Sequence, residues 1–292
     1  NVDLRDVQAP SRFNSSSAVH YNAWWFCAIP TRWIPEAKLP APIFIRGDDM
    51  EFGIRFSELG VKTIAMPGIG VWHEPFYLKV GSWQTYYDYR NRLIMASAYP
   101  ERFKLEDPKL LNWTMMRALA VHDYQQAALL SEAMLDFIKG PTLLETDASK
   151  IHERVALLAK QYAPKTLSSV DSLPSIKHGK LPMKRVARLS LVTRRIIGNA
   201  LGAGRRKTYL CLDNEIHPAH IRSHPYVKTN GLRSYFLLYS PDRAHLMPLL
   251  RKCRSAYREY DQHRARVSEE WHRQLPQFRQ SESWANIFGS VG

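Results

Sequence analysis

The twelve residues Pro42-Ile-Phe-Ile-Arg-Gly-Asp-Asp-Met-Glu-Phe-Gly53 restrict the fold more than any other stretch of this chain. An apolar run, Ile43 to Ile45, stops at a carboxylate pair, Asp48-Asp49, and Glu51 follows two residues on. The run reads as a strand end. Glu51 to Leu59, with apolar Met50, Phe52, Ile54 and Phe56 at its start, reads as a helix. Adjacent acids are costly to desolvate, so they face water, a metal or a polar ligand. Taken alone, the segment reads as a helix N-terminus, with Asp49 as the cap and Glu51 near the positive end of the dipole. The surrounding sequence has to say whether the pair does more.

Charge divides the chain in two. Residues 1–107 carry 12 Lys/Arg against 12 Asp/Glu, so residues 108–292 hold 29 against 15 and account for the whole net charge of +14. A neutral front and a basic back predict two zones, the second drawn to something anionic: a membrane surface, nucleic acid or an acidic partner. At 292 residues there is room for one large domain or two ordinary ones. No apolar run reaches the roughly 20 residues that span a bilayer. Cys27, Cys211 and Cys253 lie far apart without a CxxC, which suggests a reducing compartment and no structural zinc. An opening Asn without a signal-peptide pattern suggests an excised piece of a longer protein.

The front section reads as strand, loop, strand, helix, strand, loop, helix, an α/β pattern. Tyr21 to Pro30 is an aromatic, strand-like segment in which Trp24 and Trp25 point to opposite faces, so at most one joins a given core. Either they are core and edge residues or they form a sugar platform, since an indole face packs on the C–H side of a sugar ring. Gly60 to Pro67 predicts a strand, with Gly60 closing the preceding helix, and Ser82 to Tyr99 an aromatic-rich helix. From Pro108 the spacing predicts one helix over Leu110–Lys139 and another over Ile151–Tyr162. Residues 172–212 contain no acid, yet hold ten Lys/Arg from Lys177 to Lys207. Tyr209–Leu212 and Tyr235–Tyr239 read as short strands. Asp242 caps a long helix to about Leu275, whose stripe Leu246, Leu250, Cys253, Tyr257, Tyr260, Val267 and Trp271 is interrupted at Arg264. That stripe packs on its own domain.

His73 comes 24 residues after Asp49, following an apolar run and preceding Glu74-Pro75. A histidine and a carboxylate pair at neighbouring strand ends fit the ligand-binding edge of an α/β sheet. Imidazole with carboxylate suits Mn²⁺ or another divalent cation.

Four motifs in order, Trp24-Trp-Phe-Cys-Ala-Ile-Pro30, Pro42 to Gly53, Trp72-His-Glu-Pro-Phe76 and Tyr89-Arg-Asn-Arg92, resemble the galactofuranosyltransferases that polymerise actinobacterial cell-wall galactan. These are family-2 inverting glycosyltransferases of GT-A fold. The resemblance covers roughly residues 15–100 and continues more weakly behind them. It implies that Asp49 is the general base, that Asp48 holds the acceptor sugar, and that Trp24 and Trp25 line the acceptor site. His73 would bind a divalent cation, Mn²⁺ or Mg²⁺, at the diphosphate of a UDP-galactofuranose donor. The acceptor would be a lipid-linked galactan, which puts the enzyme in the cytoplasm, peripheral at the inner face of the plasma membrane. Residues 1–107 would be the acceptor-side half of a GT-A domain and residues 108–292 a basic, mainly helical C-terminal domain.

Two departures from the family pattern stand out. No Asp-x-Asp occurs before residue 48, and Gly47 stands where the family commonly has Trp. The resemblance therefore implies an acceptor half without its donor half, inactive alone. Two readings from other classes compete. The basic region could follow nucleic acid, although it matches no nucleic-acid motif and no nucleic-acid partner is expected; or it could dock on anionic lipid. The C-terminal helices could also assemble subunits as a homo-oligomer.

Overall fold

A computed structural model describes residues 16–19, 21–69, 71, 83–170, 172–178, 181, 184–202 and 207–289. The elements in order are β1 (Ser17–Val19), α1 (Ile34–Ala37), α2 (Asp48–Glu58), β2 (Thr63–Ala65), α3 (Gln84–Ala98), α4 (Pro108–Ala120), α5 (Tyr124–Ile138), α6 (Ala148–Gln161), β3 (Lys165–Leu167), α7 (Arg185–Ala200), β4 (Tyr209–Leu212), α8 (Pro218–Ile221), β5 (Tyr226–Thr229), β6 (Phe236–Tyr239), α9 (Arg243–Gln274) and α10 (Ser281–Gly289). The chain is mixed α/β, mostly helical, with small sheets. It divides into two compact units: Asn1–Glu74 with His272–Gly292, and Pro75–Trp271. The composition step at 107/108 falls inside the second.

In the first unit, β1 and β2 pair antiparallel with Ala18 opposite Ile64. Ala37, Phe52 and Phe56 form a small core, with Ile29, Trp33, Ile34 and Val61 packed around it. The predicted strand over Ile43–Ile45 is absent. Pro40 and Pro42 remove two ladder donors, Ile43 N–H turns back to Ala41 O at 2.8 Å, and Phe44, Arg46 and Gly47 take left-handed backbone (φ 65°, 76° and 90°). Tyr21–Pro30 is likewise not a strand but an irregular segment with a turn at its centre. α2 begins three residues earlier than the spacing predicts. Gly47, not Asp49, is its N-cap, so both aspartates lie in its first turn.

The second unit is built on α3 and α5. Tyr86, Tyr87, Leu129, Ala133, Leu143, Ile151, Val155 and Ala159 make its main core. The helix predicted over Leu110–Lys139 is two. It breaks at Val121–Asp123, where His122 is left-handed (φ 63°) and Asp123 accepts from Gln126 N–H at 3.1 Å to cap α5. Asp107 and Asp147 cap α4 and α6 in the same way, and Asp242 caps α9 as expected, accepting from Ala244 N–H at 2.7 Å. α9 buries Leu246, Leu249, Cys253, Ala256, Tyr260, Val267 and Trp271. The stripe is one-sided and skips Arg264, but Leu249 and Ala256 replace the expected Leu250 and Tyr257. Trp271 Nε1 donates to Phe137 O at 3.0 Å and Tyr260 Oη to Glu106 O at 2.9 Å.

The four-stranded sheet runs β3-β6-β5-β4, with β4 and β5 parallel and the other pairs antiparallel. Strands β3 and β5 were not legible in the sequence. They are three and four residues long, and their order comes from neighbours, as in Tyr226 Oη donating to Val121 O at 2.8 Å. Among the described residues, no helix is long and apolar enough to cross a membrane.

Candidate active site

The aspartate pair is held where a strained turn becomes a helix. Arg46 and Gly47 are both left-handed, a conformation that costs a non-glycine residue about 1 kcal/mol or more and that concentrates at functional sites. Gly47 bears it without a Cβ penalty. Glu51 N–H donates to Gly47 O at 2.8 Å, closing the first turn. Asp48 and Asp49 are half-buried, and Asp49 Oδ1 accepts from Met50 N–H at 2.8 Å. Burial pushes the Asp48 carboxyl above its ordinary value, and the neighbouring charge of Asp49 adds to this. Hydrogen bonds from the backbone of Asp49 and Arg46 offset part of the effect. The two carboxylates thus share the first turn of one helix.

Trp24 is brought to the same helix. Its ring packs edge-on against Phe52 with centroids 5.5 Å apart. Phe52 lies one turn on from Asp48 and Asp49, on the face they share. Neither tryptophan joins a core: Trp24 is 38 % and Trp25 52 % exposed, and Phe26 beside them is also exposed. So the structure brings Trp24 to the aspartate helix and places Trp25 next to it in the chain.

Glu51 is the residue whose role the sequence reading missed. It is fully buried. Arg55 donates to it through Nε and Nη2, each at 2.9 Å. Arg279 Nη2 lies 3.0 Å from Oε1, and Ala41 N–H donates to Oε2 at 3.3 Å. Arg55 also donates to Ala37 O, and to Leu39 O at 2.9 Å. Leu39 N–H in turn donates to Arg279 O at 3.0 Å, and Trp284 Nε1 to Pro40 O at 2.9 Å. One acid thus fastens α2, the 37–41 loop and the C-terminal segment together. The Glu51/Arg55 spacing of four residues was the available signal; Arg279 left none.

The expected metal ligand His73, with the whole Trp72–Phe76 motif, lies outside the described residues. Among those described, no group of three or more His, Cys, Asp or Glu could hold a metal ion. Asp48 and Asp49 by themselves do not make the six-oxygen set that Mg²⁺ requires. In the fourth motif, which lies in the second unit, Arg90 is buried, its guanidinium 5.2 Å from the Tyr86 ring and 4.9 Å from that of Tyr87.

No family model matches the chain. Over 176 residues, 57 % of the chain, it is 31 % identical to the galactofuranosyltransferase GlfT2 of Mycobacterium tuberculosis, of which it covers 27 %. Over 162 residues, 53 % of the chain, it is 33 % identical to GlfT2 of Mycolicibacterium smegmatis, of which it covers 25 %. The chain is related to galactofuranosyltransferases. It spans about a quarter of the length of these relatives.

Proposed function

We propose that this chain carries the acceptor side of a galactofuranosyltransferase site, within the second half of a GT-A domain. In the reaction, the acceptor hydroxyl oxygen bonds to the anomeric carbon of UDP-galactofuranose as the bond to UDP breaks. Asp49 takes the hydroxyl proton, and UDP leaves with the bonding pair. One base on one face produces inversion without a covalent glycosyl-enzyme. Asp48 holds the acceptor sugar and Trp24 and Trp25 line its site. The reading includes a divalent cation, Mn²⁺ or Mg²⁺, with His73 among its ligands; when bound, it stabilises charge on the departing diphosphate. The acceptor is a growing lipid-linked galactan, which makes the enzyme cytoplasmic and peripheral at the inner face of the membrane.

The observation that carries this reading is the packing of Trp24 on Phe52, which sets an exposed indole on the helix face that Asp48 and Asp49 begin. The relation to GlfT2 supplies the sugar. The test is galactofuranosyl transfer by the full-length protein carrying Asp49→Asn. A general base loses activity by about 10² to 10⁴-fold on this change. Retained activity in a folded variant would remove Asp49 from the mechanism.

A further inference from the structure

Two adjoining cavities run along α6, inside the second unit. Val155 and Ala159 turn one side of this helix into the core. Lys150, Arg154, Leu157 and Gln161 recur every three or four residues on another side, a stripe about 16 Å long. The smaller cavity, 330 Å³, is walled by the cations Lys139, Lys150 and Arg154 and by Thr146, over apolar Leu143 and Ile151. The larger, 490 Å³, has Glu132, Glu153, Leu157, Leu158, Gln161 and Lys252 along it. Lys150 and Arg154 line both cavities and so stand where they meet. Acids orient these cations without entering the smaller cavity. Buried Asp136 accepts from Lys139 Nζ and from Arg154 Nη2, each at 2.6 Å, and from Tyr86 Oη. Glu132 accepts from Arg154 Nη1 and Lys252 Nζ. An ammonium has three N–H donors and a guanidinium five, so donors remain on Lys139 and Arg154 after these bonds.

We propose that this groove binds a phosphate ester of a small, neutral, hydroxylated molecule, the class of the sugar phosphates. The phosphate sits in the smaller cavity against Lys139, Lys150 and Arg154, with the Thr146 hydroxyl donating to it. Three cations and a hydroxyl, with no Asp or Glu of the described residues among them, select a dianion. The rest of the molecule extends into the larger cavity. Glu132 and Glu153 repel a second anionic group there, which calls for a neutral body. Glu153 and Gln161 accept from its hydroxyls, and Leu157 and Leu158 cover its C–H surface. The inference goes beyond the sugar-transfer reading and does not rest on Asp48, Asp49 or the tryptophans.

The test is titration calorimetry of the whole chain at fixed ionic strength with glucose 1-phosphate, inorganic phosphate and glucose. Glucose 1-phosphate should occupy one saturable site, inorganic phosphate should bind about tenfold more weakly, and glucose should not bind. Thr146→Val with Lys150→Gln should weaken both anions about tenfold or more. Leu157→Ala with Gln161→Ala should weaken glucose 1-phosphate alone. All four side chains are exposed, so both variants should fold, which an unchanged circular-dichroism spectrum checks. Lys104→Gln with Lys109→Gln removes two exposed cations outside the groove and should change nothing. Absence of saturable binding, or binding that T146V/K150Q leaves undiminished, would overturn the proposal. So would an equal loss in K104Q/K109Q, which would make the attraction one of net charge, or equal affinity for inorganic phosphate and glucose 1-phosphate.

Discussion

Arg279 Nη2 stands 3.0 Å from the fully buried Oε1 of Glu51, although 228 residues separate them in sequence. Through this contact the C-terminal segment holds the helix that begins with Asp48 and Asp49. Breaking a buried ion pair from one side strands the other charge, which costs about 3 kcal/mol or more. Glu51→Gln should therefore lower stability by that order in urea unfolding, and Arg279→Gln should lower it less because Arg55 still pairs with Glu51. If Glu51→Gln changes the midpoint no more than a surface substitution does, the network has no such role.

Asp48 gives the second prediction. Burial and Asp49 raise its folded pKa above the unfolded value, so the folded state holds the proton more tightly. Its contribution is fully present below the unfolded pKa and is lost as pH rises through the folded pKa. Asp48→Asn should be more stable than the native chain near neutral pH, and the difference should vanish in acid. The same substitution should weaken acceptor binding, so stability and function move in opposite directions. Thermal unfolding at a series of pH values checks the first part.

Trp24→Ala removes the Phe52 contact and part of the proposed acceptor surface, so it should cost about 1 kcal/mol of stability and raise the acceptor KM about tenfold. Trp25 is the more exposed, and Trp25→Ala should raise the acceptor KM as well. A KM unchanged in both variants would place the acceptor elsewhere.

His122 supplies an acid-sensitive point in the second unit. It is buried, and burial pushes its pKa down to about 4. The unfolded chain binds the proton first, so stability is intact above the ordinary value near 6.5 and falls as pH drops toward 4. The loss should reach about 3 kcal/mol. His122→Asn suits the left-handed backbone there (φ 63°) and should flatten the stability profile between those pH values. A native profile already flat in that range would contradict this account.

What the sequence by itself determined is what short-range chemistry encodes. Helical spacing and the cap at Asp242 mark helix positions because they act within a turn or two. The four motifs resemble those of galactofuranosyltransferases, a likeness that can be seen without coordinates because it lies in residue types and their order. Tertiary structure decided what depends on distant partners. The 43–45 run is apolar enough for a strand, yet two prolines and left-handed residues at 44, 46 and 47 turn it away. α7 is defined by which face Ala120 and Pro218 occupy. Strands β3 and β5 are too short to exist without β6. Glu51 reads locally as one more acid at a positive helix end; only the fold brings Arg279 to it and makes it the fastening between α2 and the C-terminal segment.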